Sequence, residues 1–235
     1  TFFGKIYGQE KNLTTSSVAR MNLVLHGIED FQIAREDTLR NPTFTNGSGG
    51  LATFDCVIAN PPFSLKQWGR EIWENDPWGR AQYGLPPDSY GDYAFVQHMI
   101  ASMAQGGSSR MAVVLPQGAL FRKSAEGKIR QALLQEDLIE AVIGLAPNLF
   151  YGTGLAGCVV VLRRNKPAKR KNKVLIIDRE GAMVWQMKWG GIHDIHVLPS
   201  GNIIRLLEIP RFVTTKGGAY TFLPGIPALR YIAGL

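Results

Sequence analysis

The chain lacks every feature that would place it in a membrane or a secretory path. No apolar run approaches the roughly eighteen residues a membrane span needs. No charged-then-apolar leader with a small-residue cleavage site opens it. Cysteine is scarce, with two in 235 residues, Cys56 and Cys158. Each sits in an apolar run and neither has metal-like spacing, so both are expected to be buried, reduced thiols in a cytoplasmic protein. Acidic residues are fewer than basic ones, 19 against 26, giving a net charge of +7. One run, Arg163 to Lys173 (RRNKPAKRKNK), holds seven of the bases and no acid, and without it the two signs balance. It reads either as a contact to nucleic-acid phosphate or as a solvated hairpin loop. The initial Met is absent too. Thr1 and Phe2-Phe3 read like the approach to a strand, so the chain is expected to be cut from something longer.

What is present is 45% hydrophobic and 19% charged, ordinary for a globular α/β domain with a sizeable core. The period alternates. Strands are expected at 5–10, 31–36, 54–59, 110–116, 138–145, 157–162 and 173–178. Helices are expected over 14–26, from Asp92, and over 124–136. Asn12 or Thr14 caps the first helix and Gly27 ends it. Strands alternating with helices predict a doubly wound sheet, which binds ligands beyond the carboxyl ends of its strands. Between Ser64 and Gly91 lies a long excursion with Trp68, Trp73 and Trp78. It reads as a segment closing over a ligand or as packing under a loop. From Gly181 onward the chain has few charges and no sustained helical period.

The sharpest signal is Asn60-Pro61-Pro62-Phe63 directly after the apolar run FDCVIA. These four residues in order arise by chance in roughly one chain in a thousand of this length, so the motif calls for a chemical reading. The Asn60 side-chain carbonyl and the Pro61 main-chain carbonyl can accept the two N–H bonds of an adenine amino group. Proline lacks an N–H and fixes φ, so the acceptors are preorganised. Phe63 offers a face for a flipped base. Glu10 and Asp37 stand at the ends of the first two strands, where carboxylates can accept from a ribose diol and an adenine amine. His193 and His196 have i, i+3 spacing but no acid or Cys cluster beside them, so no metal is expected.

Together the segments IYGQE, ARMNLVLHG, REDTL, FDCVIANPPF, DYAFVQHM, AVVLPQGALFR, AEGKIRQALL and EAVIGLAPNLFYGTG resemble the modification subunit of type I restriction–modification systems. The likeness runs from about Lys5 to Asp178. It implies a Rossmann-like S-adenosylmethionine-dependent methyltransferase fold, incomplete at the N-terminal edge because the family's glycine-rich cofactor loop would precede the first strand. It implies methyl transfer from S-adenosylmethionine to N6 of a flipped adenine in double-stranded DNA. Specificity and restriction subunits would be the partners. Glu10 would meet the cofactor ribose and Asp37 its adenine. Asn60, Pro61, Pro62 and Phe63 would form the catalytic loop. Phe150 would be a second aromatic partner of the base, or a core anchor. Asp92, Tyr93 and Phe95 would border the cofactor pocket, or simply pack their helix. The catalytic domain is expected over 1–180. A divergent tail, explained by a reading-frame error or an unrelated join, would follow over 181–235. By itself this segment is expected to bind the cofactor weakly and not to methylate DNA. The rival readings are N-methylation of protein glutamine or of RNA, and a non-catalytic fragment that packs against partner subunits.

Overall fold

The computed structural model describes residues 6–150, 154–178, 180, 182–188, 192–197 and 203–207, with 184–188 and the last two segments described by backbone alone. Two small parallel strands come first, β1 (Ile6–Gln9) and β2 (Phe31–Ala34), joined by helix α1 (Leu13–Leu25). Asn12 caps α1 by accepting the Thr15 amide, satisfying one of the N–H groups that the first turn leaves without a helical partner. Gly27 takes φ +73° just past its end, a conformation that favours glycine.

A six-stranded sheet forms the body, in the order β3-β4-β6-β5-β7-β8. Its strands are β3 (Cys56–Ala59), β4 (Arg110–Pro116), β5 (Ile139–Gly144), β6 (Gly157–Arg163), β7 (Lys173–Ile177) and β8 (Met183–Lys188). β3, β4, β5 and β7 run parallel, while β6 and β8 run against them. The helix α4 (Ala125–Gln135) supplies the crossover that parallel β4 and β5 require. Only twelve residues, with no strand or helix among those described, separate β5 from β6, so β6 folds back antiparallel and inserts between β4 and β5. β8 forms a hairpin with β7 across position 180, and β9 (Ile192–Val197) pairs with β10 (Ile203–Leu207) in a separate ribbon.

The core is built by period-two burial on the sheet and period-3.6 burial on the helices. Met111, Val113 and Leu115 of β4, Val160 and Leu162 of β6, Val142 of β5, and Val174 and Ile176 of β7 belong to one buried cluster. Val96, Met99 and Ile100 of α3 (Asp92–Ala101) and Ile129, Leu133 and Leu134 of α4 belong to the same cluster. Each such side chain contributes about 1.5–3 kcal/mol by leaving water.

Two expectations about burial are corrected here. Cys158 is buried as expected and its thiol is pushed up to about 12 by burial, but Cys56 is exposed. The run FDCVIA is a half-buried strand, with Ile58 77% exposed. The reason is position. One face of β3 is covered and the other is not, so Val57 and Ala59 pack on the core while Cys56 and Ile58, on the opposite face, are exposed. Likewise Val18, Met21, Val24 and Leu25, the apolar stripe of α1, are all exposed. The excursion is also resolved between its two readings. Trp68 and Trp73 are buried, their rings edge-to-face at 5.1 Å, in a second core with Leu39 and Ala94.

Three of the seven bases in the basic run are held by the fold. Arg163 reaches Glu140 and Ser108, Arg164 donates to the Ile100 carbonyl, and Lys166 is buried against Asp137 and two backbone carbonyls. Register puts Arg163 opposite Arg110, at the start of β4, whereas Asn60 follows β3 at the other end. Ala59 pairs with Val113, so about four strand residues at ~3.3 Å each, roughly 13 Å, separate the level of Asn60 from that of Arg163. Lys169, Arg170 and Lys171 lie in the β6–β7 connection, where a solvated loop and a phosphate contact both remain open.

Candidate active site

Asn60 to Phe63 leave β3 at the carboxyl end of the parallel strands, where such sheets place ligands. Asn60 and Pro62 are exposed, Pro61 is buried and Phe63 is half-buried. A polar clamp holds the exit of this loop. Ser64 sits at φ +52°, a strained conformation for a residue with a Cβ. Its amide donates to Asp92 Oδ1 at 2.8 Å. Asp92 opens α3, is fully buried, and gives its Oδ2 to Arg122. Arg122 in turn binds both oxygens of Glu126, at 2.5 and 2.9 Å, and covers the Tyr90 ring at 4.3 Å. Burial lifts the Glu126 carboxyl despite the guanidinium beside it. Tyr93 donates its hydroxyl to the Ala119 carbonyl, which also accepts from Arg130. Asp92 and Tyr93 thus fasten the helix and the loop together, and Phe95 packs on the second core.

Phe150 comes to this end of the sheet through the β5–β6 connection. Its ring meets Phe63 edge-to-face with centroids 5.4 Å apart. Gly157, which starts β6, makes room for it: a Cβ there would lie 2.8 Å from Phe150 Cε2. The structure therefore brings Asn60, Pro61, Pro62, Phe63 and Phe150 to one place.

Glu10 and Asp37 lie on a different body of the fold. They follow β1 and β2, whose two-stranded sheet shares no ladder with the six-stranded one among the described residues. Tyr7 of β1 bridges the two by packing its ring 5.2 Å from that of Phe54, just before β3. Glu10 Oε1 accepts the Asn12 amide at 2.7 Å. Asp37 Oδ1 accepts the amides of Leu39 and Arg40, and Oδ2 pairs with Lys11 at 2.9 Å. Burial raises the Asp37 carboxyl, but Lys11 and the two amides outweigh it and hold it below the usual range. Two oriented carboxylates at the ends of adjacent parallel strands are an acceptor set suited to hydroxyl and amine groups, so these residues fit a nucleoside-bearing cofactor. Lys11 is mostly exposed, so its pairing is a weak one that a ligand can displace.

Sequence reasoning passed over Arg122, Glu126, Asp76 and Arg80. Asp76/Arg80 and Arg122/Glu126 are opposite charges four apart, a visible signal, but that spacing usually marks a solvent-facing pair. His193 and His196 fall on β9, whose side chains lie outside the described residues. Among the described residues no three His, Cys, Asp or Glu side chains cluster as a metal site, and no helix is long and apolar enough to cross a membrane.

Comparison with known proteins shows the family. A family profile described as N-6 DNA Methylase matches residues 3–193. The chain is 38% identical over 212 residues to the type I restriction enzyme MjaVII methylase subunit of Methanocaldococcus jannaschii, covering 87% of this chain and 35% of that protein. It is 37% identical over 175 residues to the type I restriction enzyme HindI methylase subunit of Haemophilus influenzae, covering 74% of this chain and 37% of the relative. The crystal structure of a type I restriction–modification system methyltransferase subunit from Streptococcus thermophilus superposes with a TM-score of 0.63 at 37% identity, covering 73% of this chain and 36% of that one. The chain thus spans about a third of the length of these relatives. Its α/β fold is that of the type I methyltransferase subunits, and the chain belongs to the N-6 DNA methylase family.

Proposed function

We propose that the protein methylates N6 of adenine in double-stranded DNA as the modification subunit of a type I restriction–modification system, working with specificity and restriction subunits. The observation that carries this reading is the loop Asn60–Phe63. It sits at the carboxyl end of β3, with Phe63 against Phe150 and its exit pinned by Asp92. S-adenosylmethionine, held through Glu10 and Asp37, supplies an electrophilic methyl group. The chain does the rest. Adenine N6 is a poor nucleophile because its lone pair is delocalised into the ring. The Asn60 side-chain carbonyl and the Pro61 main-chain carbonyl accept its two N–H bonds and draw the nitrogen towards a tetrahedral shape. Pro62 keeps the loop rigid, so the acceptors need little reorganisation. Phe63 and Phe150 offer apolar faces to the extruded base. Glutamine and RNA amines have similar geometry. Phenylalanine at position 63, together with the methylase relatives, favours DNA.

Phe63→Ala tests the base-holding role. It weakens retention of the flipped adenine by about 1–3 kcal/mol, the usual stacking contribution. A 2-aminopurine at the target position, in the active enzyme that carries this chain, reports the change as lost fluorescence. An unchanged signal would make Phe63 a packing residue.

A further inference from the structure

The excursion holds a guanidinium for which the methyl-transfer account has no use. Arg80 is buried, with its charged end between the Trp73 and Trp78 rings, 4.3 and 4.9 Å from their centroids. Nε and Nη2 bind the Asp76 carboxylate at 2.7–3.1 Å. Nη1 lies 3.4 Å from His98 Nδ1. Burial first, and the cation second, push His98 down to about 3, so it stays a neutral acceptor. The remaining donors reach out of the cage. Nη1 donates to the Thr38 carbonyl at 3.3 Å and Nη2 to the Leu39 carbonyl at 3.0 Å. Trp73 Nε1 donates to that same Leu39 carbonyl at 2.9 Å.

Thr38 and Leu39 directly follow Asp37, and the Leu39 amide is itself bound to Asp37 Oδ1. One short turn therefore carries both the acid and the carbonyls that Arg80 and Trp73 grip. The far ends of the excursion are fixed to the base-holding loop. Gly91 donates its amide to Leu65 at 2.8 Å, and Asp92 holds Ser64. This matters because β1 and β2 share no ladder with the six-stranded sheet among the described residues. Backbone pairing with that sheet does not hold the Asp37 turn, so side chains must.

We propose that Arg80 and Trp73 are positioning residues that hold the Asp37 turn in the orientation a bound cofactor needs, and thereby set cofactor affinity. The proposal rests on the reading that Asp37 meets the cofactor. Its test uses the active enzyme that carries this chain, with Trp73→Phe, Arg80→Lys and Asp37→Asn. Binding of S-adenosylmethionine is measured by titration calorimetry, and kcat and KM by transfer of a labelled methyl group. Trp73→Phe keeps one aromatic ring but removes the N–H together with the five-membered half of the indole, so Kd and KM for the cofactor rise about two- to tenfold. kcat at saturating cofactor stays within about twofold, because the Asn60 loop is untouched. Arg80→Lys raises Kd further, about tenfold or more, because an ammonium cannot reproduce the fork that reaches both carbonyls. If Arg80→Lys fails to fold, Trp73→Phe still decides. Unchanged affinity in Trp73→Phe, with weakened affinity in Asp37→Asn, overturns the proposal and leaves the role of Asp37 standing. Unchanged affinity in Asp37→Asn removes the underlying reading and the proposal with it. A fall in kcat with unchanged Kd shows general loosening and also overturns it.

Discussion

Asn60→Ala in the active enzyme lowers methyl transfer at least about a hundredfold and leaves cofactor affinity close to its original value. The magnitude is that of removing one preorganised polar group aimed at a reacting centre. The selectivity follows from placement. Asn60 is exposed at the end of β3, while the acids that fit the cofactor follow β1 and β2 in a separate ladder. Alanine deletes the side-chain acceptor without touching Pro61 or the Asp92–Ser64 bond. The amine then keeps one acceptor, and its lone pair stays delocalised into the ring. Single-turnover transfer of a labelled methyl group, beside a calorimetric titration of the cofactor, separates the two effects. Retained turnover would remove Asn60 from the mechanism. Lost cofactor binding would move it to the cofactor site.

The second large effect is on stability. Asp92→Ala destabilises the protein by about 1–3 kcal/mol, the range for leaving a buried donor without its acceptor, because Arg122 keeps Glu126 as its counter-charge. Asp92 is fully buried, and three groups depend on it or share its charge: the Ser64 amide, Arg122 and Glu126. Without Asp92 the strained Ser64 loses its partner, and Arg122 faces Glu126 alone. Asp92→Asn keeps an acceptor for the Ser64 amide and costs less. Because the groups share partners, Asp92→Ala and Arg122→Met together cost less than the sum of the two alone. Urea unfolding of the three single variants and the double variant measures this. Additive losses, or a loss in Asp92→Ala below about 0.5 kcal/mol, the size of an ordinary surface change, would show that the cluster is not what holds the loop.

The parts of this account legible in the sequence are those written in local pattern. The alternation of short apolar runs with amphipathic stretches marked β1 to β7 and the helix over Ala125–Gln135 to within a residue or two, but not β8, β9 and β10, which fall where no strand was expected. Asn12 was readable as a cap because its side chain and the first turn are neighbours in the chain. Asn60 to Phe63 stood out because two prolines cannot continue a strand. What stayed hidden depends on neighbours distant in sequence. Cys56 and Ile58 look like core residues until one face of β3 proves to be uncovered. The twelve residues between β5 and β6 allow a hairpin, but nothing local says that β6 inserts between β4 and β5. Trp73 and Arg80 read as loop residues, and only the fold carries them some forty positions back to Leu39. The same holds for Phe150, whose meeting with Phe63 joins two connections at one end of the sheet.

The most direct test of the central claim is the identity of the methylated atom. Duplex DNA carrying the system's target is incubated with the assembled enzyme and labelled S-adenosylmethionine, then digested to nucleosides and resolved by mass spectrometry. The account predicts that the label appears in N6-methyladenine and disappears with Asn60→Ala. Label on cytosine, on RNA or on protein glutamine, or N6-methyladenine formed as fast by Asn60→Ala, would contradict it.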